Sequence, residues 1–302
     1  MQLKKTSAVL SLFAAAGLAA TMGTGTATAA VQHRPHHPHP QHQQHGMGLN
    51  VAALRASQSR MHAHVATAQA VHPRATAEVP SSADLTQYAN TPGDQGQVGA
   101  CVTWATGYTG YGILMNEQGI TGGPMAPMYI YSQIAQGNDQ GTYASVALPM
   151  ERDQGIDTKS DYTQGDFDYT TQPTQAERDN AANYKLSGFT QLSTSGDAAR
   201  TDIENAISQG EPVAIGFNVH QSFMDLNSQT ASDYSYLPGD SGSDPVVGGH
   251  EVTIVAYNDQ GVKIENSWGS GWGDSGFVTV PWSFFSTGDV DEVNAMGKLV
   301  QS

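Results

Sequence analysis

Cysteine is nearly missing from this chain: Cys101 is the only one in 302 residues. A single thiol excludes any intramolecular disulfide, so the fold must be held by core packing whatever compartment the chain occupies. Basic side chains are also scarce, with 13 Lys and Arg against 28 Asp and Glu and a formal net charge of −15. The shortage is uneven, because residues 85–302 hold 26 acidic and 7 basic side chains while residues 1–84 are net positive. An acidic surface repels phosphate backbones and anionic headgroups, which argues against nucleic acid as a partner and against stable membrane association. Long apolar runs are lacking too. The run Val9–Ala20 falls short of the roughly 20 residues that a spanning helix needs. What is present, 38% hydrophobic residues without internal repeats, is enough to build a core.

The ends and the middle of the chain differ in character. Lys4 and Lys5, the apolar run and the small residues Ala27-Thr28-Ala29 read as a secretory signal peptide over residues 1–29, so the expected location is secreted, extracellular or periplasmic. Six histidines lie among Pro and Gln from His33 to His45, a composition of a disordered spacer or of loose metal capture. Val51–Val71 is rich in helix formers, with Leu54, Met61 and Val65 on one face. Residues 30–78 therefore form a separate stretch, either linker or pro-segment. From Val79 to the end the chain reads as one unit. Helices are expected from Cys101, over Pro127–Ala135, Ser145–Gln154 and Asp197–Ser208, and strands over Val213–Val219, Glu251–Tyr257, Val262–Asn266 and Gly276–Val280.

Chemistry is concentrated around the lone thiol. Gly96 and Gly99 precede Cys101, and Val102, Trp104, Ala105, Tyr108, Ile113 and Leu114 follow at helical spacing, which places the thiol in the first turn of a helix. The helix dipole and unpaired N–H groups there are expected to favour thiolate. Gln95, six positions upstream, can offer an amide N–H to an oxyanion forming near the sulfur. His250 opens an apolar strand, and Asn266 follows sixteen residues later, just before Ser267-Trp268-Gly269.

These residues together resemble the papain family of cysteine peptidases, over about Val79–Val300. The resemblance implies an α+β, two-lobed fold, with a helical lobe carrying the nucleophile helix, an antiparallel sheet or barrel lobe, and the active-site cleft between them. It implies that Cys101 is the nucleophile, His250 the general base and acid, Asn266 the residue orienting the imidazole, and Gln95 the oxyanion donor. Trp268 would shield the His–Asn bond. Gly141, Thr142 and Gly249 would border an extended substrate. No cofactor and no metal are implied; the partners would be protein or peptide substrates, with residues 30–78 as a possible intramolecular inhibitory pro-segment. Val98 stands where the common signature has a bridging cysteine, and Val102 where it has an aromatic. Two other readings stay open: an amidase acting on cell-wall peptides, and a non-catalytic binding or metal-handling protein whose working part is the His33–His45 tract.

Overall fold

The computed structural model of the chain describes residues 45–64, 78–240 and 242–300. The expected signal peptide, the histidine tract up to residue 44 and the stretch 65–77 lie outside the described residues.

The first half of the chain from Val79 is helical. A continuous helix over residues 101–118 begins as an α-turn at Cys101–Thr103, widens to a π-helix over Trp104–Gly110, and resumes as α-helix over Tyr111–Gln118. Gly119 ends it in the left-handed conformation, where the missing Cβ avoids a steric penalty. The widened turns have a use: Thr253 of the sheet donates its hydroxyl to the carbonyl of Ala105, at 2.8 Å, inside the π segment. Helix Pro127–Ala135 starts with proline at a position where no N–H is needed, and helix Ala144–Gln154 stops at Gly155, as the sequence predicts. Further helices are Gln175–Ala181, closed by a Thr174–Glu177 capping box, and Gly196–Ser208.

The second half forms one antiparallel sheet. Its strands are β1 (Ala83–Asp84), β2 (Phe189–Gln191), β3 (Val213–His220), β4 (Val246–Tyr257), β5 (Gly261–Glu265), β6 (Phe277–Pro281) and β7 (Val290–Met296), in the order β2-β7-β3-β4-β5-β6 with β1 added to β4. Strand β4 starts five residues before the expected Glu251. The pairing runs out to Val246 because β3 supplies partners that far. Strand β7 was not expected at all: its acidic Asp291-Glu292 pair does not read as a sheet interior, yet it pairs with both β2 and β3.

Two hydrophobic cores result. One gathers Val102, Leu114, Met128, Tyr129, Ile130 and Leu148 from the helices. The other gathers Ile203, Ile207, Ile215, Phe217, Ile254, Phe284 and Phe285 around the sheet. Five glutamates are buried among the described residues, Glu151, Glu177, Glu251, Glu265 and Glu292, an expensive choice that calls for partners or protons. Among the described residues no helix is long and apolar enough to cross a membrane. Nor does any group of three or more His, Cys, Asp or Glu in the described residues have the arrangement to hold a metal ion.

Candidate active site

Cys101 is the first residue of its helix, after Ala100, and is fully buried. A first-turn residue has no intrahelical partner for its N–H, so that group is free to serve an oxyanion. The loop before it is fixed at several points. Gln95 donates its backbone N–H to Ser267 O at 2.9 Å, its side-chain Nε2 donates to Val98 O at 2.9 Å, and its Oε1 accepts from the Ser267 hydroxyl at 2.6 Å. One N–H of the Gln95 amide remains after these bonds. Gly99 donates its N–H to both oxygens of Asp139, at 3.0 and 3.1 Å.

From the sheet, β4 brings His250 and the turn after β5 brings Asn266. His250 Nε2 lies 2.7 Å from Asn266 Oδ1, and Asn266 Oδ1 also accepts the Ser267 N–H at 2.8 Å. An amide oxygen can only accept, so Nε2 is the protonated nitrogen and Nδ1 carries the lone pair. Nδ1 is buried and has no hydrogen-bond partner, and Cys101 Sγ makes no hydrogen bond to it. The indole of Trp268 stacks on the imidazole, with centroids 4.5 Å apart. Burial brings the His250 pKa down to about 4, against a smaller opposing effect of the Asn266 bond.

The cleft is filled by the chain itself. His45 stacks on Trp268 with centroids 4.8 Å apart, and Trp268 Nε1 donates to Gly46 O at 3.1 Å. Gly46 N donates to Gly96 O at 2.7 Å. Further along, Gly48 and Leu49 both donate to Gly249 O, Thr142 N donates to Gly48 O at 2.8 Å, and Asn50 N donates to Thr142 O at 2.8 Å, so the segment pairs in parallel with Thr142. Close approach requires glycine: a Cβ on Gly48 would lie 2.0 Å from Gly99 O, and one on Gly141 would lie 2.1 Å from Gly48 O. Helix Val51–His64 follows directly, anchored by Leu54 in the core and by Arg55, which pairs with Asp291 at 2.8 and 3.1 Å. Gly141, Thr142, Gly249 and Trp268 thus all meet this segment.

The thiol departs from expectation. Burial, with Glu251 adding to it, pushes the Cys101 pKa well up, and the N–H groups of Glu251, Val102 and Leu49 only partly offset this. The helix terminus does not win because the sulfur is fully buried, and desolvation outweighs a dipole. The sequence reading also missed Asp139, Glu251, Glu292 and residues 45–50. Glu251 had a visible signal, being an acid inside an otherwise apolar strand directly after His250.

The sole thiol thus stands at a helix start, and the imidazole–amide pair comes from the antiparallel sheet, with His250 directly before Glu251, whose N–H approaches the sulfur. A family model described as papain family cysteine protease matches residues 79–283, and the chain belongs to that family. Among its relatives are an uncharacterized peptidase C1-like protein of Acanthamoeba polyphaga mimivirus and cysteine proteinase 3 of Entamoeba histolytica. The first is 24% identical over 203 residues, covering 63% of this chain and 64% of the relative. The second is 26% identical over 203 residues, covering 66% and 61%. The match therefore spans less than two thirds of either relative. In fold, the chain is similar to xylellain, a cysteine protease from Xylella fastidiosa, with a TM-score of 0.64 at 21% identity over 76% of this chain and 91% of that one. It is also similar to a digestive procathepsin L of Tenebrio molitor larval midgut, with a TM-score of 0.58 at 17% identity over 82% and 88%. The two-lobed α+β fold expected from the sequence is the one found.

Proposed function

We propose that the chain is an exported cysteine peptidase, made as a precursor whose own residues 45–50 block the cleft. The observation that carries this reading is the bond between His250 Nε2 and Asn266 Oδ1, which leaves the imidazole lone pair on the buried, unpartnered Nδ1. Once the segment leaves, Nδ1 takes the Cys101 proton and the thiolate attacks a peptide carbonyl. The Cys101 N–H and the remaining Gln95 N–H hold the oxyanion; the imidazolium returns its proton to the leaving amine, and water releases the acyl group. Trp268 keeps water from the His250–Asn266 bond. Export rests on the charged start, apolar run and small-residue site of residues 1–29.

The seated segment is not a substrate in register. It presents an N–H, that of Leu49, to the sulfur, and its carbonyls at Gly46 and Gly48 are taken by Trp268 and Thr142. The blocking residues lie just ahead of the helix Val51–His64, which serves as their anchor. The test is hydrolysis of fluorogenic peptides by the full chain before and after processing, with Cys101→Ala as control. Processed wild type should cleave and Cys101→Ala should not; cleavage by Cys101→Ala would refute the mechanism.

A further inference from the structure

Leu49 of the seated segment is 5% exposed, and its side chain meets the sheet at Gly216, between two acidic residues. Gly216 on β3 pairs directly with Glu251 on β4 and with Glu292 on β7. Directly opposed residues of neighbouring antiparallel strands project from the same face, so the two carboxyl side chains flank a position that has none. Leu49 occupies that gap: a methyl group at Gly216 would sit 2.9 Å from Glu292 Cγ and 3.0 Å from Leu49 Cδ2. Both glutamates are buried, and neither oxygen of Glu251 receives an N–H or O–H from any other described residue except the carboxyl of Glu292. Glu292 accepts the N–H of Ala144, the first residue of helix Ala144–Gln154, at 2.9 Å, and the side-chain amide of Asn294 on its own strand.

Two carboxyls buried side by side hold protons in place of charge, and both are pushed up by burial, Glu251 far above the ordinary carboxylate range. Other acids close by, Glu151 toward Glu251 and Asp291 toward Glu292, push the same way. No Lys, Arg or His side chain is among the groups acting on either carboxyl. Such a site needs a cation to make its carboxyls satisfied anions, and the described chain supplies none.

We propose that the place held by Leu49 is a recognition pocket for a substrate side chain, and that Glu251 and Glu292 at its floor select a basic one, Lys or Arg. The pocket opens within reach of Cys101, since the Glu251 N–H approaches Sγ, so a side chain seated there belongs to a peptide whose backbone crosses the nucleophile. Leu49 is then an apolar plug that fits only while the two acids stay protonated. A Lys or Arg entering the same space lets one or both ionise and gives each oxygen a donor. An acidic side chain meets like charge and is refused. The inference rests on the cleft being a peptide site, as proposed above.

Its test can be read without catalysis. Cys101 is the sole thiol, so its modification by iodoacetamide, followed by intact mass, reports whether the segment is seated. In the full chain, Leu49→Lys should alkylate within about threefold of wild type, whereas Leu49→Glu should alkylate at least about tenfold faster because like charge unseats it. Adding Glu251→Gln and Glu292→Gln to Leu49→Lys should raise its rate to that of Leu49→Glu. Equal rates for Leu49→Lys and Leu49→Glu overturn the proposal. A second arm offers processed enzyme peptides that differ only in the side chain entering the pocket. Arg or Lys should be cleaved at least about tenfold better than Glu, and Glu251→Gln should reduce cleavage of Arg peptides more than of Leu peptides. If peptides are cleaved with no such preference, the pocket assignment falls and the peptidase reading stands. If no peptide is cleaved while the Leu49 series behaves as stated, the acidic pocket stands and the peptidase reading falls.

Discussion

Asp139 grips the backbone N–H of Gly99 with both carboxylate oxygens, forty residues away in the chain and two residues before Cys101. Its Oδ1 also takes the hydroxyl proton of Tyr131, and Tyr131 in turn accepts the N–H of Gly141 at 3.0 Å. One carboxylate therefore ties the loop leading into Cys101 to Gly141, next to the Thr142 that pairs with Leu49. This matters because Val98 stands where a bridging cysteine is common, and a lone Cys101 leaves no covalent alternative. Asp139→Ala should destabilise the chain by about 1.5–3 kcal/mol, the usual worth of a hydrogen bond to a charged group, and lower kcat of the processed form. Asp139→Asn, which keeps one acceptor for Gly99, should recover part of both. A kcat unchanged in Asp139→Ala would mean that the loop is held by Gln95 alone.

The donors and orienters should separate by magnitude. On the proposed mechanism, removing Cys101 or His250 takes away attack or proton transfer, so either alanine variant should lose nearly all activity. Asn266→Ala leaves Nε2 without its acceptor but does not remove the base, so a measurable remainder is expected. Gln95→Ala removes one oxyanion donor and should lower kcat by about 100- to 1000-fold. It also removes two bonds to Val98 and Ser267, so its thermal midpoint should be measured in parallel. If Gln95→Ala leaves kcat unchanged, the oxyanion is held elsewhere.

The outline of this fold was legible because the signals it uses are strong ones. A glycine-rich loop before a helix-period run placed Cys101 at a helix start, and apolar strands bounded by turn residues placed β3 to β6. The π-helical turns were not legible: Trp104–Gly110 has the same apolar spacing as an α-helix, and its widening depends on Thr253 reaching Ala105 O from the sheet. Strand β7 was missed because Glu292 is buried between strands, where its long-range partners, the Ala144 N–H and the Glu251 carboxyl, are not visible in sequence. Nor did the sequence show that Gly46 and Gly48 thread the cleft. Glycines outside any periodic pattern read as linker, and only the close approach of Gly46 to Val98 and of Gly48 to Gly99 and Gly141 gives them another meaning.

Glu151 carries a proton that pH can remove. Thr106 Oγ1 lies 2.9 Å from Val102 O and 2.5 Å from Glu151 Oε1, but a hydroxyl has one proton. If the helix carbonyl receives it, the carboxyl must donate. Burial pushes Glu151 up to about 8, and Glu265, beside Thr109, to about 8 as well. Between the unfolded value of 4.5 and about 8 the folded state binds more protons, so stability is complete below 4.5 and declines as pH rises to 8. Melting curves should show a higher midpoint at pH 5 than at pH 8.5. Glu151→Gln, whose amide donates to Thr106 at every pH, should flatten that slope, and a slope unchanged in this variant would place the proton elsewhere.

Acid should loosen the blocking segment. His250 is held down to about 4 and His45 is also lowered, each chiefly by burial, while Asp94 partly opposes the shift of His45. Their rings stack against the same Trp268, and a charge on His45 would disfavour one on His250. Released into water, both return toward the ordinary 6.5, so below that value the open state binds more protons and is favoured. The ratio of Cys101 alkylation in the full chain to that in the processed chain should rise between pH 6.5 and 4. His45→Phe keeps a stacking ring without a proton and should reduce the rise; an unaltered pH dependence would exclude His45 as a contributor.

The last prediction turns on the smallest residue in the cleft. At Gly48 the chain passes so close to Gly99 that a single methyl group would stand 2.0 Å from its carbonyl oxygen and 2.2 Å from its carbonyl carbon. These are backbone atoms, held by Asp139, and cannot retreat as a flexible side chain would. Gly48→Val must therefore lift the segment from Thr142 and Gly249 while leaving Cys101, His250 and Asn266 untouched. Most substitutions that disturb a protein reduce its activity. This one should raise it: the unprocessed variant should hydrolyse peptide at a rate approaching that of the processed chain. Cys101 should alkylate at least about tenfold faster than in wild-type precursor, since a thiol returned to water ionises more readily. A synthetic peptide of residues 45–64 added in excess should restore the block, because it carries Gly48. If Gly48→Val stays as latent as wild type, residues 45–50 are not what holds the precursor silent.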